Sequence, residues 1–301
     1  MRLKSFYTLF ILSAALFCTS LSAEEISVQE IYSNAMKAFQ KNQWTELVVH
    51  CQKVTKHYSD TSFASDALYY MSVGYFQMED YDMANRKFSE YLKLPGTPKY
   101  FEEAIQYKFS IAEKFRLGAK KHIFQWSRMP KWLPAKEDAL KIYDEVLTTF
   151  PYHDLAAKSL YGKGVILKDF DEFRESVETF QILIRRFPKH ELAIESFLEI
   201  GKVYLNQVRY EHLNPGLLDS AELNLRKFEL AFPSEVRLEE ARETLNEMRE
   251  VFAMSLFETG DFFERTKKKG AAVIYYSKVV SKFPHSDAAK RAQDRLQALQ
   301  K

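Results

Sequence analysis

Residues 160–188 read LYGKGVILKDFDEFRESVETFQILIRRFP, and their spacing decides the fold. The stretch closes on Phe187-Pro188. Proline lacks an N–H and pushes the residue before it out of the α region, so this pair ends a helix. Counting back from Pro188, Ser176 stands twelve positions earlier, Phe180 eight and Leu183 five. Offsets of four and three put all three on one helical face. Upstream, Gly164 interrupts a second helical pattern at about 1 kcal/mol relative to alanine. Close contact between the two helices accounts for it.

The arrangement recurs three times, ending at Phe150-Pro151, Phe232-Pro233 and Phe283-Pro284. The small position is Ala139, Ala221 and Ala272; the bulky one is Tyr143, Leu225 and Tyr276. Val146, Phe228 and Val279 fill the third place, and Gly201 and Gly260 repeat the register of Gly164. Two copies lie nearer the N-terminus. One has Leu68, Ser72, Tyr75, Tyr81, Ala84, Phe88 and Tyr91 before Pro95; the other has Ile31, Ala35, Ala38, Trp44, Leu47, Cys51 and Val54. At the far end Ser286 or Asp287 caps a closing helix, to Lys301, with Ala289, Ala292, Leu296 and Leu299 on one side.

These residues resemble the tetratricopeptide repeat, a helix pair of about 34 residues with small residues at fixed positions and a late proline. The resemblance implies an all-α, right-handed α-solenoid of about six helix pairs with a C-terminal capping helix. The copies run through residues 27–285, two of them stretched by insertions near 118–136 and 206–219. Composition agrees. Nine glycines and nine prolines in 301 residues are about half the average share, against the turn-rich sandwiches and barrels.

The chain begins with Arg2 and Lys4, an apolar run from Phe6 to Phe17, then small residues to Ala23. That is the layout of a signal peptide, residues 1–23, with residues 24–301 forming an exported, water-soluble solenoid. If Cys18 is instead the acylated cysteine of a lipoprotein, the leader is 1–17. Phe17 departs from the small residue usual at that place. Removing 1–23 takes two basic residues from 43 and leaves 41 against 41 acidic, which gives no pull toward nucleic acid. Cys51 is then the one other thiol, so no internal disulfide forms.

The sequence shows no nucleophile elbow, Walker loop or His-Glu-x-x-His. No catalytic residue, cofactor or metal is expected, and the chain reads as a non-enzyme. Binding remains. First helices line the concave side of such a solenoid, which places Tyr32, Met36 and Phe39 there from one pair and Asp66, Tyr69, Val73 and Phe76 from the next. They form a candidate peptide groove or pack against the adjoining repeat. The stretch from Lys114 to Lys136 holds seven basic and no acidic residues, interleaved with aromatics. Lys120, Lys121, Phe124, Trp126, Arg128 and Trp132 are candidates for contact with a partner or an anionic lipid surface; alternatively the tryptophans cover a repeat junction.

From about Ile194 to Leu299 the sequence resembles the D subunit of the outer-membrane β-barrel assembly machinery, the BamD/ComL lipoprotein family. The likeness is carried by Phe197 to Tyr204, the insertion after it, Ala221 to Pro233, the long stretch through Ala241 and Leu245 to Phe263, and Gly270 to Ser286. It implies a scaffold at the periplasmic face of the outer membrane. Its partners would be other subunits of the assembly complex, unfolded β-barrel substrates read through a C-terminal aromatic signal, and outer-membrane lipid if Cys18 is acylated. An alternative is a periplasmic adaptor similar to the Tol-Pal-associated repeat proteins, which usually carry an N-terminal coiled coil.

Overall fold

The computed structural model describes residues 27–122, 130–210 and 214–300. The chain divides into two compact units, Met1–Ala104 and Ile105–Lys301. Both are built of helix pairs, and the chain is an all-α solenoid of such pairs. The expected leader and Cys18 lie outside the described residues.

The N-terminal unit holds α1 (Val28–Gln40), α2 (Trp44–His57), α3 (Ser62–Gln77) and α4 (Tyr81–Leu92). Its core takes Ile31, Ala35 and Ala38 from α1, Leu47, Val48, Cys51 and Val54 from α2, and Ala67 and Met71 from α3. These include every position expected of the first copy except Trp44, which is half-buried. Alanines where helices cross let the backbones approach. Cys51 is free and completely buried, and burial pushes its thiol up to about 12. The folded state thus favours the neutral thiol, a contribution held below the thiol's ordinary value and lost as pH rises through about 12. Iodoacetamide at pH 8 is expected to leave Cys51 unmodified in the folded chain and to alkylate it once urea opens the unit. Equal rates in both states, read by intact mass, would contradict the burial.

The unit boundary falls within α5 (Phe101–Arg116). Beyond it come strands β1 (Lys120–His122) and β2 (Lys131–Pro134), then α6 (Lys136–Thr149), α7 (Asp154–Asp169), α8 (Phe173–Arg186) and α9 (Glu191–Tyr210). The unit closes with α10 (Pro215–Ala231), α11 (Leu238–Arg265), α12 (Lys269–Lys282) and α13 (Asp287–Gln300).

The Phe-Pro pairs join one helix pair to the next. In each, the phenylalanine N–H donates four residues back, as from Phe187 to the Leu183 carbonyl at 2.8 Å. Its own carbonyl then accepts from the residue three later: His153, His190, Glu235 or Ser286. His153 and His190 use Nδ1 to accept the N–H two residues on, at 3.1 and 3.0 Å, capping α7 and α9.

Turns inside the pairs follow a second rule. Asn42, Glu79, Asp171 and Lys267 all have φ between 56° and 62°. The next residue donates to a carbonyl five back, as Glu172 does to Leu167 at 3.0 Å, the bond of a Schellman motif. Gly118, at φ 101°, ends α5 in the same way, but the chain then enters β1 and returns along β2 before α6 begins. Among its described residues the first insertion therefore holds two paired strands set into an intra-pair turn, a departure from an otherwise helical reading.

The expected close approach is real at two of three glycines. A Cβ on Gly164 would lie 2.7 Å from the Phe180 ring, and one on Gly260 2.7 Å from that of Tyr276. At Gly201 the nearest atom is a Thr244 methyl at 3.6 Å. The matching bulky position there is Leu225, partly buried and without a ring to press on the glycine.

Candidate functional site

The N-terminal unit presents an aromatic face shared by α1 and α3. Tyr32 lies 5.1 Å from the Phe63 ring, and its hydroxyl donates to Asp66 Oδ2 at 3.5 Å. Two turns on, Phe39 meets Tyr70 edge-on at 5.1 Å. Met36 is half-buried on the same core. Helical offsets explain the grouping: 32, 36 and 39 on one helix, 63, 66 and 70 on the other.

The segment after α4 completes the face. The Tyr100 hydroxyl is 3.2 Å from that of Tyr70, and its ring stacks on Tyr69 with centroids 4.3 Å apart. The Tyr100 backbone N–H donates to the Tyr91 hydroxyl at 2.8 Å, fixing the segment in place. Beside it, Lys99 is 65% exposed, 3.7 Å from Asp66 and 4.7 Å from the Tyr100 ring centre.

Burial, then Asp66, pushes Tyr32 above the usual phenol range; burial, then the bond with Tyr100, does so for Tyr70. Both phenols are neutral hydrogen-bonding groups at physiological pH. The Tyr100 hydroxyl, then Asp66, raises Lys99, which stays an ammonium. This face offers π surface, phenol hydroxyls and one carboxylate–ammonium pair. It can grip an apolar or aromatic side chain and hold a polar end next to it.

Of the seven residues expected in a groove, Tyr32, Met36, Phe39 and Asp66 come together here. Tyr69 and Val73 are 8% and 3% exposed, so neither lines the face, and Tyr69 packs against Tyr70 and Tyr100 behind it. Phe76 packs 5.5 Å from Tyr81 of its own pair. Sequence reasoning missed Phe63, Tyr70, Lys99 and Tyr100. A stripe read at 63, 66 and 70 fits helical spacing as well as one at 66, 69, 73 and 76, and would have found two of them. Lys99 and Tyr100 precede a helix and carry no periodic signal.

The second candidate group lies in the C-terminal unit. Lys120 is exposed, Lys121 is paired with Asp138 of α6, and Trp132 is 67% exposed. Phe124, Trp126 and Arg128 fall outside the described residues. No helix among the described residues is long and apolar enough to cross a membrane.

Residues 254–286, from mid-α11 to the turn after α12, match the tetratricopeptide repeat model. That is the last of the helix pairs read from the sequence. No curated protein matches the chain. Among solved structures, the crystal structure of MamA protein aligns at 14% identity and TM-score 0.42, covering 70% of this chain and 94% of that one. YrrB, described as a TPR protein with an unusual peptide-binding site, aligns at 14% and 0.40, covering 73% and 94%. A TPR repeats protein from Bacteroides fragilis aligns at 11% and 0.43, covering 91% and 99%. Stacked helix pairs of this type typically build binding scaffolds rather than catalytic sites, presenting extended surfaces to other polypeptides.

Proposed function

We propose that this chain is an exported scaffold at the periplasmic face of the outer membrane that binds polypeptides during assembly of β-barrel proteins. One observation carries it: the aromatic face of α1 and α3, with an ammonium at its edge. An extended segment ending in an aromatic residue meets both features. Its ring packs among Tyr32, Phe39 and Tyr70, and its terminal carboxylate pairs with Lys99, which then leaves Asp66 to Tyr32. The resemblance of residues 194–299 to the BamD/ComL family supports the envelope setting and a barrel-assembly complex as the partner.

The test uses the chain without residues 1–23 and fluorescent peptides ending in Phe with a free carboxylate. Tyr32→Ser combined with Phe39→Ser is expected to weaken binding roughly thirtyfold, as for centrally placed aromatic anchors. Lys99→Gln is expected to weaken the free-carboxylate peptide several-fold and the amidated peptide not at all. Helical circular dichroism should be unchanged in both variants. A peptide ending in Ala that binds as tightly as one ending in Phe would refute the aromatic anchor. Co-purification after mild envelope extraction tests the setting, with the barrel-forming subunit expected; Tol or Pal components in its place would redirect the proposal.

A further inference from the structure

The β-ribbon inserted between α5 and α6 plays no part in the peptide reading, and its geometry is specific. Its strands run antiparallel with Lys120 opposite Pro134, Lys121 opposite Leu133 and His122 opposite Lys131. One residue of β2 is left over between the last two pairs, and it is Trp132. A bulge of this kind bends a strand and re-aims a side chain. Here it leaves a tryptophan 67% exposed.

The surroundings are apolar and cationic together. Leu117, in the turn leading to β1, is 71% exposed, and Leu133 is 40% exposed. Lys120 and Pro134, the pair at the base of the ribbon, are both exposed. Lys121 is held by Asp138, and Arg116 by Glu113 at 2.6 Å, so those acids are already neutralised; Glu137 is the exposed acid that follows. Lys114 is exposed within the same basic stretch, which contains no acidic residue from 114 to 136.

We propose that this ribbon docks the protein on an anionic lipid bilayer, with Trp132, Leu117 and Leu133 entering the headgroup layer and Lys120 meeting lipid phosphates. Charge complementarity selects an anionic surface, and the exposed tryptophan beside the cations suits lipid headgroups. A bilayer demands only a small amphipathic patch, and tryptophan favours its interface. The inference does not depend on peptide binding or on acylation of Cys18.

The experiment is sedimentation of the chain lacking residues 1–23 with vesicles of phosphatidylcholine, with and without phosphatidylglycerol. Binding is expected only to the anionic vesicles and to fall as salt is raised. Lys120→Ser should weaken it about fivefold, and Trp132→Ser by at least as much, while Trp132→Tyr keeps most of it. These side chains are exposed, so circular dichroism of the variants should match the parent. Three results would each overturn the proposal: no binding to anionic vesicles, equal binding by Trp132→Ser and the parent, or equally tight capture by soluble polyglutamate.

Discussion

Phe180→Ala is expected to lower the stability of the C-terminal unit by about 3–5 kcal/mol, the usual range for deleting a fully buried ring. It should also reverse the sign of a second substitution. Phe180 has no exposed surface, lies 5.8 Å from Tyr161 and shares a cluster with Phe173, Val177, Ile200 and Val203. Its edge presses on Gly164, where an added Cβ would sit 2.7 Å from two ring atoms. Across the same contact the Ser176 hydroxyl donates to the Gly164 carbonyl at 2.8 Å, so the helices cannot part without breaking a buried bond. In the parent chain, Gly164→Ala gains about 1 kcal/mol of helix propensity. It also overpacks an enclosed ring, which costs about 1–3 kcal/mol. The net effect is destabilising. With Phe180→Ala already in place the obstacle is gone, and Gly164→Ala becomes stabilising. Urea midpoints of the four chains in this cycle measure the coupling. Additive effects would mean that the recurrent glycine serves something other than close approach.

The same pair shows why the helical framework was legible. Residues 164, 176, 180 and 183 are tied by one geometric requirement, helices packed at fixed register, and that requirement leaves a period in the sequence. The turns inside the pairs leave none. Asn42, Glu79, Asp171 and Lys267 adopt a left-handed conformation that glycine would have advertised. They hold it because each completes helix-end hydrogen bonds, and a non-glycine residue accepts about 1–2 kcal/mol for that. Gly118 did mark such a turn, yet nothing in it announced that a ribbon follows.

The candidate peptide face was half legible for a related reason. Spacing on α1 pointed correctly to Tyr32, Met36 and Phe39. On α3 the adjacent Tyr69 and Tyr70 differ by 100° around the axis, and periodicity alone does not choose between them. Tyr100 chooses. Stacked on Tyr69, it covers that side and leaves Tyr70 at the face. A contact from a non-periodic segment, remote in sequence from α1 and α3, decides which tyrosine a ligand meets.

The C-terminal helix offers the second large effect. Ala292→Glu is expected to destabilise the end of the array by about 3–5 kcal/mol, the cost of an uncompensated buried charge. Ala292 is fully buried against α11 and α12, in a cluster with Ala253, Phe257, Ala272, Tyr276, Ala288 and Ala289. Small residues on α13 let it lie close, and polar contacts hold its two ends. Glu250 of α11 accepts the N–H groups of Asp287 and Ala288 at 2.9 and 3.0 Å. Arg295 pairs with Glu264, which also accepts the Tyr276 hydroxyl at 2.9 Å. Arg295, one turn beyond Ala292, is already paired with Glu264, so a carboxyl introduced into this apolar seam either takes up a proton or drives the helix off. Burial raises the folded-state pKa of that carboxyl above its unfolded value near 4.3. Its protonated form is therefore tolerated below that value, and stability is lost as pH rises through the raised pKa. Ala292→Gln, with similar volume and no charge, should be the milder variant at pH 7 and converge with Ala292→Glu in acid. Because a repeat array is held by contacts between neighbours, the damage should stay local. Hydrogen exchange is expected to accelerate in α12 and α13 and to remain unchanged in residues 27–104. Acceleration throughout the chain would show cooperativity far beyond nearest neighbours, and a gap between the Glu and Gln variants that persists in acid would place its cause outside the titration.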